Sequence, residues 1–186
     1  MSRMLRLIPV LLAAIAAPAA TLQQLSMDQM SELSTSVVRA RVTAASASFL
    51  PGPGTPTIYT HYKLSVSEIW KGAATTEVML PGGDVNGQKQ SFPGVPELKV
   101  GSEYILFLWK SPTTGIVHTM GLTQGIFEIS TQASGAVSAS RRKSGELMLD
   151  ASGNRVADSD VLMNLPDLKT HVVQARGAAN TAGPSK

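Results

Sequence analysis

Ile58-Tyr59-Thr60-His61-Tyr62-Lys63-Leu64-Ser65-Val66-Ser67-Glu68-Ile69-Trp70 is the stretch whose reading decides the fold. Ile58, Thr60, Tyr62, Leu64, Val66 and Trp70 share one parity, while Tyr59, His61, Lys63, Ser65 and Ser67 share the other. Successive side chains of a strand point to opposite faces, so the first set is expected in a core and the second toward solvent. The stretch reads as a long half-buried strand, with Lys71-Gly72 as the turn that follows it.

Short strands and turn signals continue on both sides. Upstream, Val38, Ala40, Val42 and Ala44 alternate with Arg39, Arg41 and Thr43, a second half-buried strand. Leu50-Pro51-Gly52-Pro53-Gly54-Thr55-Pro56 between the two reads as a surface loop. Downstream, 76–80 returns as a shorter strand. Pro81-Gly82-Gly83-Asp84-Val85-Asn86-Gly87 is a Gly-rich loop leading into a polar strand over 88–92. Tyr104-Ile105-Leu106-Phe107-Leu108-Trp109 has no polar alternation and reads as a central strand covered on both faces. Further strands are expected over 116–122, 126–130 and 146–150. The Ser- and Ala-rich run 131–145 reads as a mobile excursion.

Helices frame this β-rich region. Ser26-Met27-Asp28-Gln29 has the layout of a capping box and predicts a short helix over about 22–34. Asn164 caps a last helix carrying Leu165, Leu168 and Val172 along one side, which Gly177 is expected to stop. The fold class is therefore mainly β: a small closed or partly open OB-like β-barrel with a short N-terminal and a C-terminal helix. One domain is expected over 21–176, with a disordered tail at 177–186.

The front of the chain has the secretory layout. Arg3 and Arg6 precede an apolar run over 7–15, and Ala17-Pro18-Ala19 supplies small residues for cleavage near Ala20 or Thr21. Residues 1–20 are read as a signal peptide, which makes the protein exported, periplasmic or secreted, with no transmembrane segment in the mature chain. The chain carries 16 basic and 13 acidic side chains; losing Arg3 and Arg6 leaves 14 basic ones, a net charge of +1. That balance argues against nucleic acid as a partner. The basic cluster Arg141-Arg142-Lys143 lacks interleaved aromatics and reads as a solvated loop. The 186 residues include no cysteine, which excludes disulfides and lipid attachment through a lipobox thiol.

The motifs Val38-Arg39-Ala40-Arg41-Val42, Tyr59-Thr60-His61-Tyr62, Glu68-Ile69-Trp70-Lys71-Gly72, Pro81-Gly82-Gly83, Gly101-Ser102-Glu103-Tyr104 with Leu106-Phe107-Leu108, and Gly121-Leu122-Thr123-Gln124-Gly125 come in series. Over about 35–130 the chain resembles a group of uncharacterised exported bacterial proteins that share this series. It is more distantly similar to the OB-like barrel of netrin-like modules, as in tissue inhibitors of metalloproteinases. The resemblance implies a fold rather than an activity. Those inhibitors chelate zinc through an amino-terminal cysteine, which this chain does not have.

Chemistry is sparse by motif. His61, His118 and His171 show neither His-x-His nor His-x-x-x-His spacing, so no metal site is expected, and no cofactor. Serines are plentiful, but no Gly-x-Ser-x-Gly elbow occurs, so no catalytic residue is assigned. A triad assembled from distant residues stays open. Asp84, Glu103 and Glu128 are read as surface acids, and Pro81-Gly82-Gly83 as a turn rather than a phosphate loop. The candidate binding residues are the outward row Tyr59, His61 and Lys63, with Gly83, Asp84 and Asn86 of the neighbouring loop. The leading function is a non-catalytic module binding a protein or glycan. A hydrolase of unrecognised type is the alternative, and an inhibitor or chaperone of a co-exported protease is a third. A deep pocket gathering His, Ser and carboxylates would favour an enzyme, and a flat aromatic patch would favour binding.

Overall fold

A computed structural model describes residues 21–51 and 55–181. The expected leader at 1–20, Gly52 and residues 182–186 of the expected tail lie outside the described residues. The chain runs β1 (Thr21–Gln23), α1 (Met27–Leu33), β2 (Ser36–Leu50), β3 (Thr57–Lys71), β4 (Glu77–Pro81), β5 (Gly83–Val85) and β6 (Gln88–Gln90). It continues through β7 (Glu103–Lys110), β8 (Val117–Thr119), a 3₁₀ turn at Leu122–Gly125, β9 (Ile126–Thr131), β10 (Val137–Arg141), β11 (Leu147–Leu149), β12 (Arg155–Val156), β13 (Val161–Asn164) and α2 (Leu165–Thr181).

The main sheet is antiparallel in the order β13-β10-β9-β7-β2-β3-β4, with β8 added on β7. Its end strands β4 and β13 do not pair with each other, so the barrel is not closed. Beside β4 runs β8, where His118 Nδ1 lies 3.1 Å from the Met79 carbonyl. A side chain thus meets a carbonyl at a seam that no strand ladder crosses.

Both faces of β7 are buried, and its alternation sorts two cores. Tyr104, Leu106 and Leu108 pack with Val38, Val42, Tyr62, Leu64 and Leu80. Ile105 and Phe107 pack on the other face with Val37, Trp70, Phe127 and the helical Met30, Leu165, Leu168 and Val172. An unbroken apolar run is what a strand covered on both faces requires. At Trp109, 39% exposed, the chain leaves the core.

Trp70 is buried as its parity predicts, yet it belongs to the helix-side core and not to the core of Tyr62 and Leu64. A β-bulge is the reason. Ala40 faces Val66 but Arg39 faces Glu68, which leaves Ser67 without a cross-strand partner. One extra residue inverts the side-chain alternation beyond it.

Four expectations change. The first helix is shorter than 22–34, because Thr21–Gln23 is drawn into parallel pairing with β11. The capping box itself forms, with Gln29 N donating to Ser26 Oγ at 3.1 Å and Ser26 N to Gln29 Oε1 at 2.9 Å. The run 131–145 contains β10, a strand of the main sheet. Its small residues answer to close packing: Ala139 is fully buried in the core that α2 covers. Only Val117–Thr119 of 116–122 is strand. Finally, α2 runs through Gly177 to Thr181, since a glycine weakens a helix by about 1 kcal/mol without obliging it to end.

Candidate functional site

The ribbon formed by β2 and β3 is long enough to extend past the sheet's core, and its outer face carries the polar chemistry. Pairing with β4 sets Tyr59 opposite Pro81, His61 opposite Met79 and Lys63 opposite Glu77. Pairing with β2 sets His61 opposite Ser46 and Tyr59 opposite Ser48. Tyr62 and Leu80, of the opposite parity, lie in the core.

Glu77 and His61 organise this face. Glu77 Oε1 lies 2.6 Å from His61 Nδ1, and Glu77 Oε2 receives the Lys63 ammonium. His61 Nε2 lies 2.8 Å from Ser48 Oγ. The Lys63 ammonium, and then the His61 ring, hold the Glu77 carboxyl below the ordinary carboxylate range against the opposing effect of burial. An ionised carboxylate only accepts, so His61 Nδ1 donates to Glu77; in the neutral ring Nε2 then accepts from the Ser48 hydroxyl. The His61 side chain is 21% exposed.

An aromatic strip continues from Tyr59. The Tyr59 and His118 rings lie 6.2 Å apart, and His118 stacks on Trp109 at 6.4 Å with planes inclined by 23°. His118 is opposite Trp109 in the β7–β8 ladder, which accounts for the stack.

The six residues expected to bind do not share one surface. Tyr59, His61 and Lys63 stand on the outer face. Gly83 instead packs against the opposite side of the ribbon: a Cβ there would lie 2.7 Å from Thr60 Oγ1 and 2.9 Å from Ala47 Cβ. Its φ of +136° also favours glycine. Asp84 caps its own hairpin, accepting from Gly87 N at 3.0 Å, and Asn86 occupies the tip at φ +52°. Gly83 and Asp84 border a separate open cleft of about 710 Å³, lined also by Thr60, Tyr62, Phe92 and Lys99. Burial raises the Tyr62 phenol there. Among the described residues, no histidine lines this cleft.

Ser48, Glu77, Trp109 and His118 are the residues of this face that the sequence reading missed. Ser48 was hidden because the alternation that marks β2 in the sequence is carried by residues 38–44, while the small residues 44–48 continue the strand without an apolar pattern. Glu77 was within reach of a register argument, as the opposite charge facing Lys63 in a hairpin. Trp109 gave no signal, since an apolar run does not show which member leaves the core. The third histidine is engaged elsewhere: His171 Nε2 lies 2.7 Å from Asp28 Oδ1, linking α2 to α1.

Among the described residues no group of three or more His, Asp or Glu side chains is arranged to hold a metal ion. None of their helices is long and apolar enough to cross a membrane. No family model matches the chain, and no curated protein matches it.

Proposed function

We propose that the protein is an exported binding module whose contact surface is the outer face of β3, β4 and β8. The observation that carries this reading is the contiguous strip Tyr59–His118–Trp109 beside Lys63. Single exposed aromatics are ordinary, whereas a row of them flanked by charge is what partner surfaces use as anchors. Its open, flat setting suits a protein partner, with a glycan as the other class. Export rests on the layout of residues 1–20, and predicts that exported material begins at Ala20 or Thr21 on amino-terminal sequencing. The turn of β2, β3, β4, β7 and β8 around one core, with its seam at His118 and Met79, is consistent with a partly open OB-like barrel and with the netrin-like resemblance.

The test is a double substitution, Tyr59→Ala with Trp109→Ala. Immobilised mature protein should capture a partner from the exported fraction, and the double variant should bind that partner at least tenfold more weakly while its far-UV dichroism stays native. This corresponds to about 1.4 kcal/mol or more, the scale of one anchoring aromatic. A folded double variant with unchanged binding places the contact elsewhere.

A further inference from the structure

We propose that Ser48 is an activated nucleophile and that the protein transfers acyl groups from activated carboxylic esters through Ser48, His61 and Glu77. This goes beyond the binding reading and does not depend on it.

The three side chains come from three consecutive strands, and the register explains why they meet. Ser48 faces Tyr59, two residues before His61, and Glu77 faces Lys63, two residues after it. The trio therefore forms a diagonal across one sheet face, and diagonal neighbours lie within reach of long side chains. The imidazole spans the diagonal, with Ser48 Oγ at 2.8 Å from Nε2 and Glu77 Oε1 at 2.6 Å from Nδ1. Nucleophile and base within hydrogen-bond reach, and the base oriented by a third group, are the geometric requirements for an activated serine. Lys63 fixes the second oxygen of Glu77, so the carboxylate is held from both sides. Glu77 stays ionised at neutral pH, which suits it to orient the ring and to stabilise an imidazolium without taking the proton itself. A small open pocket of about 240 Å³ borders Glu77 beside Met79 and Ile116, and the large cleft lies on the opposite side of the ribbon.

The β2–β3 register places Tyr59 directly across from Ser48, so the ring of an aryl ester would lie along Tyr59. The last residue of β2 paired with β7 is Arg41, so among the described residues no strand of the main sheet flanks Ser48 on that side. In the reaction, Ser48 Oγ bonds to the ester carbonyl carbon and its proton passes to His61 Nε2. The bond from that carbon to the leaving alkoxide breaks, and the alkoxide takes the proton from His61. Water then bonds to the acyl carbon, giving a proton to His61. The carbon–Oγ bond breaks, Ser48 Oγ recovers the proton, and a carboxylic acid departs. The face is open to water, where oxyanion stabilisation is weak, so slow turnover and a preference for good leaving groups follow.

The folded mature protein is treated with a fluorophosphonate and, separately, with p-nitrophenyl acetate. The expected result is one fluorophosphonate adduct, mapped by peptide mass spectrometry to Ser48, and nitrophenol release about 100-fold faster than with Ser48→Ala, the scale of general-base assistance. Glu77 acts here as a positioning residue. Glu77→Gln, nearly the same size, should slow labelling about tenfold, and Glu77→Asp should recover part of the rate because it restores the carboxylate. No adduct on folded protein, an adduct on a different serine, or equal release by Ser48→Ala overturns the proposal. Mapping on the unaltered chain keeps the test valid if a variant fails to fold. Because Trp109 is untouched throughout, an unreactive Ser48 leaves the binding reading standing, and lost capture by the aromatic variant leaves this proposal standing.

Discussion

Glu68 gathers three donors at the junction of sheet and helix. Lys169 Nζ lies 2.6 Å and Trp70 Nε1 3.1 Å from Oε2, while Arg39 Nη1 lies 3.0 Å from Oε1. Lys169 chiefly, with Trp70 and Arg39, brings its carboxyl from the ordinary 4.5 to about 2, against the opposing effect of burial. A carboxyl whose folded value is depressed adds stability that is complete above its unfolded value and is lost as pH falls through the folded one. Glu68→Gln should therefore be less stable than the parent at pH 7, and the difference should close between about pH 4.5 and pH 2. The side chain is 32% exposed, so added salt should narrow the difference at pH 7 as well. Urea melts at pH 7, 4 and 2 check this. A difference that is constant with pH would show that the carboxylate contributes by packing and not by charge.

At the scale of the element, the bulge at Ser67 governs where β3 delivers its largest side chain. Trp70 is 3% exposed beneath α2, and Trp70→Ala should destabilise by roughly 3–5 kcal/mol as a large-to-small core change. Deleting Ser67 removes the unpaired residue but leaves Val66 opposite Ala40 and Glu68 opposite Arg39 in a continuous ladder, so Trp70, two residues beyond Glu68, keeps the helix-side face. The deletion should destabilise by less than Trp70→Ala and leave the tryptophan emission unshifted, as urea melts followed by fluorescence would show. A deletion variant whose emission moves to the red would show that the bulge does more for the indole than set its face. Parity alone was enough to mark Trp70 as buried. It was not enough to say against what, because a bulge is a property of two strands in register and β2 supplies half of it.

Across the whole molecule, β7 joins the two cores. Ile105 and Phe107 face the helices while Tyr104, Leu106 and Leu108 face the opposite core, so neither core can lose its packing without disturbing the same strand. One cooperative unfolding transition is expected. In a Trp109→Phe variant, emission from Trp70 reports the helix-side core, and far-UV dichroism reports the sheet. Their urea transitions should coincide. A helix-side transition at lower urea would mean that α1 and α2 unfold as a separate unit.

Much of the fold was legible from local pattern. The Ser26 capping box needs only four residues, the alternation after Ile58 only a strand, and the apolar run of β7 only burial on both faces. The candidate site was legible in half: Tyr59, His61 and Lys63 share a face because parity is local, and Gly83 and Asp84 fell on the other side because a hairpin packs where its contacts lead it. Ser48, His61 and Glu77 stand 13 and 16 positions apart, and Trp109 lies far from Tyr59 in sequence. By itself, the sequence determined the cap at Ser26, the alternation that opens β3 and the burial of β7, since these follow from each residue and its near neighbours. β1 and β10 did not follow, because short and small-residue strands take their pairing from distant partners. The tertiary structure alone decided the bulge, the division into two cores and the meeting of Ser48 with His61 and Glu77. Those depend on register between strands, and register is settled by the packing of all of them together.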